Sequence, residues 1–161
     1  MSAPTGWVQI AAITTIPNPH LYSYYHVAGV TEPATYTWTL SAVVMSSGGI
    51  ARYSGVDNAN PLAATTSFSS SAVPVMSLTV PAVSTTSPGS MLVGAAAINS
   101  SNAMITITSP AGMTERWDLG GKRQDYADAL QPPAGSSGDK TWTFSSAREA
   151  AGWLAALKPA P

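Results

Sequence analysis

The sequence predicts an all-β protein: a two-sheet antiparallel sandwich of jelly-roll type with an internal pseudo-repeat. Three observations predict it. Short runs of β-branched and aromatic residues recur, separated by Gly, Pro, Asn and Ser. No stretch argues for a long helix. The one candidate, 145–151 around Arg148 and Glu149, is short and leads into a strand-like run. Finally, the chain repeats itself. Pro4-Thr5-Gly6-Trp7 returns 106 residues later as Pro110-Ala111-Gly112-Met113. Thr35-Tyr36-Thr37-Trp38-Thr39-Leu40-Ser41 returns 104 residues later as Asp139-Lys140-Thr141-Trp142-Thr143-Phe144-Ser145. A period of roughly a hundred residues is too long for a solenoid. We therefore read two half-repeats, about 4–62 and 90–159, within one domain spanning 1–161.

The elements follow in order. Strands are expected at 7–13 after the Pro-x-Gly turn, and at 21–28 after Pro17 and Pro19. Strands at 34–40 and 49–54 complete the first half. Residues 63–72 and 84–90, rich in Ser, Thr and Ala, read as connections around a strand at 74–80. The second half gives strands at 90–98, 103–109, 113–118, 124–130, 140–145 and 151–157. Alternation places Tyr36, Trp38 and Leu40 on one face of their strand, and Trp142 and Phe144 on one face of theirs. Both tryptophans are expected in the core, with the threonine faces outward.

The repeat also exposes a difference between the halves. Two apolar strands, Met91 to Ile98 and Met104 to Thr108, precede Pro110, whereas only Met1-Ser2-Ala3 precedes Pro4. An incomplete sheet would leave an unpaired edge. A strand from a neighbouring subunit, the 68–80 segment, or a missing leader would each account for it.

Composition narrows the function. Charged residues are 9% of the chain, against about a quarter in typical proteins. Up to Ser109 the only charged side chains are Glu32, Arg52 and Asp57. So little charge predicts a homo-oligomer whose neighbours cover part of the surface. The net charge of −1 gives no footprint for nucleic acid. With no cysteine, disulfides, thiolate zinc sites and thiol nucleophiles are excluded. No apolar run approaches a membrane span, and Met1-Ser2-Ala3-Pro4-Thr5-Gly6 is unlike a signal peptide.

Catalytic constellations find little support. There is no G-x-S-x-G elbow. His20 and His26 lie in or beside one strand, and Glu32 and Asp57 are isolated in sequence. No catalytic residue is assigned, and the chain is read as a non-enzyme. Calcium is the one cofactor considered, at Asp125 and Asp128, because calcium gathers several oxygen ligands. Asp57-Asn58-Ala59-Asn60-Pro61 is a turn by residue type, with a ligand loop as the sharper alternative. Lys122-Arg123 is too short for a basic patch, and Gly120-Gly121 precedes no helix that could cradle phosphate. Asn99-Ser100-Ser101 matches a glycosylation acceptor, a motif common by chance in a Ser-rich chain. For a glycan, the candidate stacking residues are Tyr22, Tyr24, Trp117 and Tyr126.

Two stretches of wording resemble a widespread module. One runs from Tyr25-His26-Val27-Ala28 through Thr31-Glu32-Pro33-Ala34-Thr35-Tyr36-Thr37-Trp38 to Gly48-Gly49-Ile50-Ala51-Arg52-Tyr53-Ser54-Gly55-Val56-Asp57. The other is Pro110-Ala111-Gly112-Met113-Thr114-Glu115-Arg116-Trp117-Asp118, with the closing Gly152-Trp153-Leu154-Ala155-Ala156-Leu157-Lys158-Pro159. The chain resembles the jelly-roll or lectin-like β-sandwich module of bacterial extracellular multidomain proteins and phage minor tail proteins. That resemblance implies a fold and no catalytic residues. It implies a structural or adhesive subunit of an extracellular or virion surface assembly, such as a fibre, tail or decoration. The alternative is a module that binds a cell-surface or polymeric glycan.

Overall fold

The computed structural model describes residues 1–102, 104–119 and 124–161. Lys122-Arg123 and Gly120-Gly121 lie outside the described residues, as does the start of the strand expected at 103–109. Among those described there are strands and no helix: β1 (Val8–Ile13), β2 (Leu21–Tyr25), β3 (Ser67–Val80), β4 (Ser84–Thr85), β5 (Ser90–Ile98), β6 (Ile107–Thr108), β7 (Thr114–Asp118), β8 (Gln124–Gln131), β9 (Gly135–Ser136) and β10 (Lys140–Leu157). All pairings are antiparallel. Among the described residues no helix is long and apolar enough to cross a membrane.

One six-stranded sheet dominates, ordered β3-β10-β5-β8-β7, with β6 on β10. β5 is its centre. Its sequence SMLVGAAAI is uncharged and almost wholly buried, as a strand covered on both faces must be. β10 joins the two strands expected at 140–145 and 151–157 into one of 18 residues. Its register against β3 shifts between Thr143 and Arg148. Such irregularities bend a strand. Here the first part of β10 folds back over the sheet, so that Trp142 and Phe144 pack with Leu92, Leu154 and Ala156. Gly94 permits this approach. A Cβ there would lie 2.8 Å from the Trp153 carbonyl and 3.0 Å from the Trp142 ring.

The opposite face of the sheet carries Val93, Ala95, Tyr126, Trp153 and Ala155. The two-stranded β1–β2 ribbon covers it with Ile13 and Leu21, and Ala51, Tyr53, Val56 and Leu62 pack against the same cluster. The chain is thus all-β, and apolar side chains bury on both faces of its main sheet.

Several expectations need correction. Residues 63–72 are not simply a connection, because β3 begins at Ser67 and pairs as far as Leu154 of β10. The 68–80 segment therefore extends the main sheet and does not complete the ribbon. Residues 34–40 and 49–54 form no strand. Only Thr39 is bridged, to Ser2. Alternation gave 34–40 the right pattern, but a strand also needs a neighbour to satisfy its backbone. Trp142 is fully buried, as expected. Trp38 is only half-buried and Leu40 is exposed.

Candidate functional site

The Pro4-Thr5-Gly6-Trp7 turn opens the site. Trp7 N–H donates to the Pro4 carbonyl at 3.3 Å, and Gly6 has φ +85°, a conformation that favours glycine. The turn aims Trp7 into an aromatic cluster. Its ring stacks on His26 at 5.5 Å and meets Tyr36 and Trp38 edge-on at 5.0 and 4.9 Å. Trp7 Nε1 is buried without a hydrogen-bond partner.

Glu32 anchors the polar side. Its carboxylate accepts from the Tyr36 hydroxyl and the Gly29 N–H. His26 Nε2 lies 3.2 Å from Glu32 Oε2, while Nδ1–H donates to the Gly6 carbonyl at 3.0 Å. A carbonyl can only accept, so both ring nitrogens carry protons when His26 also donates to Glu32. The Gly6 carbonyl foremost, and then Glu32, hold the His26 pKa above its ordinary value. The Tyr36 hydroxyl, followed by Gly29 and His26, holds the Glu32 carboxyl below its usual value. Glu32 in turn raises the phenol of Tyr36. An open depression of about 540 Å³ lies against this network, lined by Thr5, His26, Glu32, Thr35 and Tyr36 among others.

Sequence reasoning did not find this cluster. His26 read as a residue in or beside a strand, and Glu32 as isolated in sequence. A legible signal was present: His26, Glu32, Tyr36 and Trp38 fall within thirteen residues, punctuated by Pro33.

Of the glycan candidates, the structure joins two and separates two. Trp117 stacks on Tyr126 at 4.3 Å with the rings within 3° of parallel. Tyr22 and Tyr24 lie on β2 and are half-buried. Because Leu21 faces the core, alternation directs them to the opposite side, away from Tyr126. Nor is the Trp117–Tyr126 pair an open platform. Tyr126 is buried, and the Trp117 ring touches Gly49 so closely that a Cβ there would lie 2.6 Å away.

The acids proposed for calcium do not converge. Asp125 and Asp128 are three residues apart on one strand, so they point to opposite faces. Asp125 is fully buried and accepts from Trp142 Nε1 at 2.6 Å and from the Ser109 hydroxyl at 2.7 Å. Burial raises its pKa to about 6. Asp128 receives a two-pronged grip from Arg116, with Nε–Oδ2 and Nη2–Oδ1 both 2.8 Å, the geometry a planar guanidinium favours. The Tyr53 hydroxyl donates to Asp128 Oδ2 at 2.6 Å and lies 3.1 Å from the Tyr126 hydroxyl. Burial is the main cause that lifts both phenols, Tyr126 to about 12. Among the described residues no group of three or more His, Cys, Asp or Glu could hold a metal ion.

Asp57 is a turn residue, as its neighbours imply. Its Oδ1 accepts from the Ala59 and Asn60 N–H groups, and Lys158 Nζ lies 2.7 Å from Oδ2. Lys158 foremost holds its pKa below the ordinary value. The loop thereby fastens the C-terminal end of β10 to residues 55–63. No protein family, curated protein or solved structure matches the chain.

Proposed function

We propose that this chain is a non-enzymatic β-sandwich subunit of jelly-roll type that builds or decorates an extracellular or virion surface assembly. The β1–β2 ribbon packed on one face of the main sheet, and the folded-back part of β10 on the other, support the sandwich. The observation that carries the assembly reading is the distribution of exposed apolar side chains. Of thirteen large ones among the described residues, eleven precede residue 80. They include Val30, Val43, Val44 and Ile50, and also Phe68, Val73 and Met76 on the edge strand β3. That same half of the chain holds almost none of the charge. An uncharged edge with outward apolar side chains invites pairing with another chain. The non-enzymatic reading is supported by His26, whose two ring nitrogens are both engaged.

Native mass spectrometry with electron microscopy should find a ring, fibre or other oligomer. Val43→Lys with Val73→Lys should shift the population toward monomer, since each places charge on the exposed half. A parent chain that is monomeric at every concentration would defeat the reading.

A second reading, glycan binding, draws on the Trp7–His26–Tyr36 cluster beside the Glu32 depression. Aromatic faces next to a carboxylate and threonine hydroxyls suit a neutral sugar. On a glycan array, binding by the parent that vanishes in Glu32→Gln and Tyr36→Ala would favour it. No signal from any glycan would remove it.

A further inference from the structure

The β1–β2 ribbon reproduces the β7–β8 pair of the main sheet in detail. Both begin with the same turn: Trp7 N–H to the Pro4 carbonyl at 3.3 Å, and Met113 N–H to the Pro110 carbonyl at 3.0 Å. Gly6 and Gly112 share a positive φ, +85° and +78°. Both ladders slip at the corresponding place, between Gln9 and Ala11 in one and between Glu115 and Trp117 in the other. The Ser2–Thr39 bridge also has its counterpart in Thr108–Thr143. These matches follow one register, so β2 stands where β8 stands.

The halves part at the next strand. β8 is paired on both edges, by β7 and by β5, and β5 pairs onward to Ala150–Leu157 of β10. Among the described residues β2 is paired only by β1. The segment equivalent to Gly152-Trp153-Leu154 is Gly49-Ile50-Ala51, which forms no strand. Trp153 is 3% exposed, whereas Ile50 is 61% exposed. Ala51 and Tyr53 nevertheless pack on the same apolar cluster as β1 and β2. The flanks of a central strand are therefore laid out on one face of the main sheet, without that strand between β2 and a partner ladder.

We infer that the edge of β2 turned away from β1 is an acceptor for an uncharged apolar β-strand of the chemistry of Ser90–Ile98. The occupied counterpart defines what fits: nine residues, apolar on both faces, small at the centre, antiparallel to the acceptor. Charge agrees, because β1, β2 and residues 34–51 contain no charged side chain, and the one charge in 49–53, Arg52, is exposed. Main-chain bonds would supply affinity, and the alternate side chains the selectivity. Once seated, the strand gives residues 49–53 the neighbour they need to join the sheet. This deepens the assembly reading and rests on it only for the source of the strand.

Two probes test it. In one, a copy of residues 90–109 replaces Met1–Ala3, so that the added strand enters as β5 does. In the other, a peptide of residues 90–98 flanked by lysines is added to the parent. Amide exchange is read at 22–25 and 49–53 and should slow by about tenfold or more in both cases. A peptide N-methylated at alternate residues should do nothing, because it cannot make the ladder. If the chain assembles but neither probe slows exchange there, the acceptor is overturned and the assembly stands. Equal effects from the methylated peptide mean apolar adsorption and also overturn it. If the parent is monomeric yet the peptide protects β2, the acceptor stands and the assembly fails. Protection of β2 in the assembled parent that is lost on dilution supports the acceptor and names a second copy as the donor.

Discussion

Trp142→Ala is expected to destabilise the fold by about 3–5 kcal/mol, the range for truncating a large buried aromatic. The side chain is fully buried, packs with Leu92, Leu154 and Phe144, and reaches across the fold to Gly94. Its removal empties the place where the folded-back part of β10 meets the sheet. It also takes the indole N–H from Asp125 Oδ1, leaving a buried carboxylate with one donor fewer. For a chain of this size each kcal/mol moves Tm by roughly 2–4 °C, so a fall on the order of 10 °C is expected. Trp142→Phe separates the effects. It keeps most of the packing and loses the hydrogen bond, which should cost about 1–3 kcal/mol. Trp38→Ala is the internal control. Trp38 occupies the repeat-equivalent position but is half-buried among Trp7 and Tyr36, and should cost clearly less. Chemical unfolding of the three variants measures this. Equal losses from Trp38→Ala and Trp142→Ala would show that the two tryptophans hold equivalent core positions after all.

That contrast also shows what the sequence could and could not carry. β5, β7, β8 and both parts of β10 were legible because each has the composition of a strand and also finds a neighbour inside the chain. Residues 34–40 have the same alternation as 140–145 and still form no strand. Pairing is a non-local property, and no local pattern encodes whether the neighbour is present. The fused length of β10 was invisible for a related reason. The residues between the two expected strands, 146–150, read as the one short helix candidate, and only pairing of β3 with Arg148 and Ala150 shows them to continue the strand. For the site, aromatic content was readable but its grouping was not. Tyr22 and Trp117 both look like sugar platforms, yet one is on the ribbon and the other is stacked on Tyr126 beside Gly49. Trp7, His26, Glu32 and Tyr36 converge only because the turn at Gly6 brings the start of the chain back to residues 26–36.

Asp125 makes the second large prediction, and its sign is opposite to that of most carboxylates. Burial raises its pKa to about 6 in the folded chain, against an ordinary value of 3.8. Below about pH 4 the group is protonated in both folded and unfolded chains and contributes no pH dependence. Between about pH 4 and 6 the folded chain holds the proton that the unfolded chain releases, so stability falls as pH rises. Above that window the full penalty is present, about 3 kcal/mol at 1.4 kcal/mol per pKa unit. Glu32 and Asp57 act the other way, because their lowered pKa values give stability that is lost as pH falls. The clean quantity is therefore the difference between Asp125→Asn and the parent, measured across pH, in which those groups cancel. Asparagine keeps an oxygen for the Trp142 N–H, and its amide can donate to the Ser109 hydroxyl oxygen in place of the bond received from it. The variant should match the parent near pH 4 and exceed it by up to about 3 kcal/mol above pH 7. Charge burial at this position would then be a cost carried at neutral pH, partly offset by two short hydrogen bonds to the carboxylate. A variant that is less stable than the parent by a constant amount at every pH would instead mean that those two bonds balance the desolvation of the charge, and a deficit that grows as pH rises would mean that they outweigh it.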